Sequence, residues 1–235
     1  MTASRGKRRF LVLLCLFGVV MFSALGVWQV ERRAWKLDLI ARVNARIHAP
    51  PTVVPPRSHW AGINARDDEY RRVRVKGFLL NDRETLVEAL TGRGAGYWLL
   101  TPLKTSEGTI LINRGFMPPE RTDAALRIPE QPSGPVTVTG LIRMSEPKGR
   151  FLRPNRPDEH RWYSRDVAAI ARKRGLSGVA PFFIDADATP NPGGYPVGGM
   201  TVVSFRNMHL VYAITWFGLA ALCLAGLALL FRREP

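Results

Sequence analysis

Two uncharged apolar runs, one near each end, constrain this 235-residue chain more than anything between them. Residues 10–28 (FLVLLCLFGVVMFSALGVW) and 210–231 (LVYAITWFGLAALCLAGLALLF) are each long enough to cross a bilayer as a helix. A cleaved signal peptide is the rival reading of the first run, with its core at 10–22 and Ala24 and Gly26 placed like a cleavage site. The apolar character continues to Trp28, an aromatic suited to the interface, which favours an uncleaved anchor. The polar middle, about 180 residues, is enough for one domain with its own core.

Flanking charge only partly sets the orientation. Arg5, Lys7, Arg8, Arg9, Arg232 and Arg233 on the terminal side are matched by Arg32, Arg33, Lys36, Arg42, Arg46 and Arg206 on the other. A positive tail holds the start of the chain inside, and long domains translocate largely regardless of charge. Both termini are therefore expected inside and the middle outside. The expected organisation is a cytoplasmic tail at 1–9, a transmembrane helix at 10–28, and an amphipathic segment and linker at 29–56. A periplasmic β-rich domain at 57–206, a second transmembrane helix at 207–231 and a tail at 232–235 complete it.

Between the runs the periodicity changes twice. Residues 29–47 put Trp35, Leu39, Ile40, Val43 and Ile47 at helical spacing on a basic background. They either continue the first helix outward or lie on the membrane surface. Residues 49–56 (APPTVVPP) break any helix and predict an extended tether. Strand patterns follow at 70–80, 84–90, 97–103, 109–113, 136–144, 179–185 and 200–205, with turns at 92–96 and 106–108. Pro118 and Pro119 open a polar linker reaching to about Pro135, and 147–160 and 187–199 read as loops. One soluble helix is predicted at 164–174, with Ser164 as its cap, Val167, Ile170 and Ala171 as its apolar face and Gly175 as its stop. The fold class is a membrane protein: two transmembrane helices flanking an α+β, mostly antiparallel β extramembrane domain, for which a small barrel is one closed form.

Enzyme chemistry is not expected. The chain has no H-E-x-x-H, C-x-x-C, G-x-S-x-G or Walker loop. His48, His59 and His160 fall in loop-like sequence, and Asp67, Asp68 and Glu69 read as a solvated acidic loop ahead of a cation site. The only cysteines, Cys15 and Cys223, lie in the apolar runs and read as small hydrophobes. The net charge of +15 admits attraction to anionic lipid or an acidic partner, and equally an ordinary solvated surface. No compact nucleic-acid motif is present, so no nucleic-acid partner is expected.

One constellation remains. His209 sits where water gives way to lipid, and an ionisable group there is a functional-site hypothesis by default. Tyr212 and Trp216 follow at i+3 and i+7, on the same helical face. Trp28 ends the first run at a matching depth. A neutral imidazole in an aromatic-lined place is a good axial ligand for haem iron, and Arg206 or Arg32 and Arg33 could meet its carboxylates. An interfacial belt of Trp, Tyr and His, there simply because these residues are amphipathic, is the competing reading. Spacing leaves both open.

Several ordered stretches resemble one family: Gly26-Val-Trp28-Gln29 with Trp35-Lys36; residues 70–78 (YRRVRVKGF); Gly96-Tyr97 with Thr101-Pro102-Leu103; Asn113-Arg114-Gly115; and residues 206–216 (RNMHLVYAITW). The set is similar to the surfeit-locus cytochrome c oxidase assembly factors, the Shy-one proteins of yeast, and runs in order over nearly the whole chain. The resemblance implies a two-helix inner-membrane protein with its domain in the periplasm or intermembrane space. It also implies a role in building the oxidase's catalytic subunit at the stage of haem a insertion, with His209 as ligand to the haem iron. The expected partners are that subunit, the membrane lipid and, as a further option, the haem a synthesis enzymes. A cofactor-free scaffold that stabilises an oxidase subunit is the alternative. The short basic N-terminus, without a long Ser/Arg-rich transit peptide, favours a bacterial inner membrane. One departure is visible: Phe116-Met117 stands where the family pattern has Trp-Val. An aromatic remains, so packing should survive, but an indole hydrogen bond would be lost.

Overall fold

The computed structural model describes residues 2–123, 131–132, 134–203, 205 and 207–232. The chain divides into two compact units: Met1–Arg42 with Val203–Pro235, and Val43–Val202.

The first unit holds the two apolar runs. α1 (Thr2–His48) is one helix, continuing through the basic segment to His48, so the segment after Trp28 extends the first helix. α3 (His209–Arg232) is the second. Both are long and apolar enough to cross a membrane. They meet through small residues. A Cβ on Gly26 would lie 2.6 Å from the Phe217 ring, and one on Gly18 2.8 Å from Cys223 Sγ. Phe22 and Trp216 stack with centroids 5.7 Å apart. The pairing order is antiparallel, and glycine is what lets the backbones approach. Cys15 and Cys223 are free thiols, and both lie at this seam, Cys15 against Gly226.

The second unit is a β-barrel. Its strands are β1 (Thr52–Val53), β2 (Arg72–Leu79), β3 (Thr85–Thr91), β4 (Gly94–Lys104), β5 (Thr109–Met117), β6 (Pro135–Met144) and β7 (Val179–Ala186). Strands β2-β6-β7-β5-β4 form a sheet that closes on itself through Phe78↔Lys104 and Leu79↔Leu103. β1 and β3 are attached outside this circuit. β4 serves two neighbours along one edge: residues 94–100 pair with β3, and 103–104 with β2. Pro102, which has no N–H, sits at the changeover. Gly77 is required at the closure, because a Cβ there would lie 2.3 Å from the Lys104 carbonyl oxygen.

Alternation along the strands sorts two cores. Val73, Val75, Ile110, Ile112, Phe182 and Ile184 fill one cluster with Trp60. Leu111, Phe183, Leu100 and Val87 face the other way and are covered by Val167 and Ile170 of α2 (Val167–Lys173) and by Trp162. β5 is therefore buried on both faces along its whole length, which is why its pattern is continuous rather than alternating. Phe116 is buried edge-on to Trp98, centroids 6.4 Å apart, so the aromatic at that position does pack.

Four expectations are corrected. Residues 49–56 are no free tether: Thr52 and Val53 pair in parallel with β2, and Val54 is buried. The cap of α2 is Asp166, whose carboxylate accepts from Ala169 N; Ser164 is buried and donates to the Glu146 carbonyl instead. Of the expected strand at 200–205, the described residues 200–203 and 205 form no strand. Both edges of β7 are already taken by β5 and β6, so the segment is held by Gly199 N–H to the Ala186 carbonyl and by the Thr201 side chain. The acidic cluster is solvated only in part: Asp67 is exposed, but Asp68 is buried against Arg71 and the Asn64 N–H, and Glu69 meets Arg143. Much of the linker after Pro119 lies outside the described residues.

Candidate functional site

His209 is the first residue of α3, and its half-buried imidazole faces α1. Nδ1 lies 2.7 Å from Oε1 of Gln29, a side chain only 8 % exposed. An amide oxygen can only accept, so Nδ1–H is the donor in this contact and Nε2 is not engaged by it. Buried amides need partners, and Gln29 finds one across the hairpin. The helical period then places Ala213, Trp216 and Ala220 on the face toward α1, and Trp216 is held by its stack on Phe22.

The other expected site residues are distributed unevenly. Tyr212 is 52 % exposed and Trp28 54 %, so both turn away from the helix seam. Arg206 lies outside the described residues. Arg32 packs its guanidinium over Trp35 at 4.0 Å, and Lys36 lies over the Phe205 ring at 5.0 Å. His48, His59 and His160 are all exposed; His48 bonds the Asn44 carbonyl, and His59 the Ser58 hydroxyl. Gln29 belongs to the Gly-Val-Trp-Gln stretch, but spacing alone does not reveal its partner, which is 180 positions away.

The barrel carries a second polar constellation that the sequence pattern does not disclose. Asp185 of β7 is buried and accepts four hydrogen bonds: Asn113 Nδ2 at 2.7 Å, Arg165 at 3.1 Å, Arg143 at 3.1 Å and the Thr201 hydroxyl at 2.9 Å. Arg143 also reaches Glu69 at 3.3 Å, and Arg165 forms a bidentate pair with Glu146. Burial pushes the Glu146 carboxyl up, but the Arg165 guanidinium overrides this and holds it below the ordinary carboxylate range. Burial likewise disfavours charge on Arg165, and Glu146 and Asp185 together reverse that. Asp185, Asn113, Arg143, Arg165 and Thr201 line a cavity of about 210 Å³ with Trp98. With its carboxylate saturated by donors, the cluster is a clamp rather than a reaction centre. It binds the segment that leads on to α3.

A closed five-strand barrel inserted between two helices of membrane-spanning length, with a histidine–glutamine pair across the helices, defines the class of protein. The SURF1 family model matches residues 16–221, from inside the first apolar helix to inside the second. Surfeit locus protein 1 of Rattus norvegicus is 36 % identical over 229 residues, covering 90 % of this chain and 72 % of the relative. The Homo sapiens protein of the same name is 35 % identical, covering 88 % and 73 %. A SURF1-like protein of Monosiga brevicollis is 36 % identical, covering 92 % and 85 %. The chain belongs to the SURF1 family.

Proposed function

We propose that this protein is an assembly factor for cytochrome c oxidase that holds haem a transiently on His209 and assists its insertion into the catalytic subunit. The reading rests on family membership and on one geometric observation: the His209–Gln29 bond at the head of α3. His209 would hold haem a through a ring nitrogen, and the haem would supply the iron that this nitrogen binds. Gln29 fixes the tautomer and the ring plane of His209, so that Nε2 is the nitrogen presented. Metal-binding histidines are usually oriented in this way through the second ring nitrogen. The partner here is a neutral amide, not a carboxylate, so it orients the imidazole without setting a charge beside it. A modest ligand held on an open two-helix surface suits a cargo that must leave. Tyr212 and Trp28 offer exposed aromatic faces near the site, and Arg206 a cation for haem carboxylates.

The protein acts in this scheme by binding, not turnover. It resides in a bacterial inner membrane with both termini in the cytoplasm and the barrel in the periplasm, beside the oxidase subunit and the haem a synthesis enzymes. The test is the absorption spectrum of the detergent-purified full chain, co-expressed with haem a synthesis enzymes, beside His209→Ala. Haem a bands that disappear in the variant are the expected result. Bands retained in full by His209→Ala sink the ligand assignment. No bands in either protein favours a cofactor-free scaffold, which pull-down of the oxidase subunit would then examine.

A further inference from the structure

The barrel domain carries an exposed apolar tip that neither the cores nor the proposed haem site uses. Arg150 and Arg153 exchange backbone hydrogen bonds in both directions, at 2.9 and 3.0 Å, and close a two-residue turn. Phe151 and Leu152 occupy its corners and are 91 % and 83 % exposed. Leu152 holds a φ of 60°, a conformation that a branched side chain adopts at a cost. A turn made only to reverse the chain would favour Gly or Asn there. The Arg150 side chain donates to the Glu88 carbonyl, and Arg153 pairs with the Glu88 carboxylate. Two residues further along the same face of β3, Leu90 is 77 % exposed.

The sequence on either side of this tip is rich in cations. The stretch 147–161 (PKGRFLRPNRPDEHR) carries Lys148, Arg150, Arg153, Arg156 and Arg161 against Asp158 and Glu159, and Arg93 lies in the β3–β4 turn. The base of the turn is tied to the Asp185 cluster: Gly149 N–H donates to the Ser164 hydroxyl, Ser164 to the Glu146 carbonyl, and Glu146 holds Arg165. The same cluster holds Thr201, just before the chain leaves the domain, and through Arg143 it meets Glu69. The Glu69 carbonyl accepts from Arg46, just after the chain comes in. The base of the tip is thus joined, within the barrel unit, to the network that holds Thr201 and Arg46.

We propose that the Phe151–Leu152 turn is a membrane-docking tip, inserting into the headgroup region of an anionic leaflet while its arginines meet lipid phosphates. Size favours lipid over protein. A stable protein interface needs about 800 Å² on each partner, more than three protruding side chains supply. For a domain already tethered at both ends, by contrast, a small apolar wedge ringed by cations is sufficient to fix its attitude to the bilayer.

The test uses the full chain, with Cys15→Ala and Cys223→Ala, carrying a nitroxide at Leu152→Cys. Phe151→Cys repeats the reading from the neighbouring position, and Lys76→Cys on β2 serves as the exposed reference. The protein is reconstituted in vesicles of phosphatidylcholine with phosphatidylglycerol, or of phosphatidylcholine alone. Collision with oxygen against a water-soluble nickel chelate is then measured. The expected result is a label at 152 that favours oxygen over nickel in the anionic vesicles, with Lys76→Cys remaining open to nickel. Adding Arg150→Glu and Arg153→Glu should return the tip to water. A label at 152 as open to nickel as that at 76 in both lipids overturns the proposal. So does a label that becomes shielded only when a second protein is added, which would make the tip a protein dock. None of these readings depends on haem.

Discussion

Asp185 shows how much one side chain can organise. Its carboxylate is buried and takes donors from β5, from β6, from the segment before α2 and from the segment before α3. Asp185→Ala leaves two largely buried guanidinium groups short of an acceptor. Breaking a buried pair in this way typically costs about 3–5 kcal/mol, and thermal unfolding of the purified variant should show a loss of that order. Asp185→Asn keeps the shape and should fall between. Glu146 gives the same cluster a pH dependence. Its folded-state pKa is depressed, so its contribution to stability is complete above the ordinary glutamate value. That contribution is lost as pH falls from the ordinary glutamate value through the lower folded one. A series of unfolding midpoints from neutral to acid pH should show this loss, and Glu146→Gln should flatten it. Gln29 calls for a different measurement. Under the proposed haem role, Gln29→Leu removes the acceptor that orients His209 and should lower haem affinity by about 10–100-fold. Haem titration reads the affinity, and the ¹⁵N shifts of His209 in haem-free protein read the tautomer.

The elements were legible where their patterns were local. The strand at 136–144 and the apolar face of α2 follow from alternation and from helical spacing, and the structure places both close to the expected limits. The stretch 200–205 misleads for a physical reason: β-branched residues favour extended backbone, but a strand also needs a free edge, and only the sheet's topology says whether one exists. α2 should be sensitive to packing rather than to its length. Ile170→Ala opens a void against Phe183 and Leu111 and should cost about 2–5 kcal/mol, seen as a drop in urea midpoint with an unchanged slope. In the helix pair the sensitive residues are the glycines. Gly26→Ala drives a methyl group into the Phe217 ring, and overpacking of this kind costs about 1–3 kcal/mol. Phe217→Leu in the same chain should recover part of that, because contacting sites couple. Thermal stability in one detergent across the four proteins of this cycle measures the coupling.

At the scale of the molecule, barrel closure is the decisive event. β2 and β4 are joined at only two registers, 78↔104 and 79↔103, and Gly77 permits the approach. Gly77→Val should loosen this seam first. The readout is faster amide exchange at Leu80, whose N–H donates to the Pro102 carbonyl, while the β5–β7 ladder stays protected. By itself the sequence determined the two apolar helices, the strand-rich middle with its single helix, and the family. Each of these depends on local composition, period or motif order, which a linear chain carries in full. The tertiary structure alone decided that the sheet closes and that Thr52 and Val53 join it. It also joined Asp185 to Arg143 and Arg165, and His209 to Gln29. Those facts depend on which distant segments become neighbours, and a hydrogen bond spanning 180 positions leaves no periodic trace in the chain that makes it.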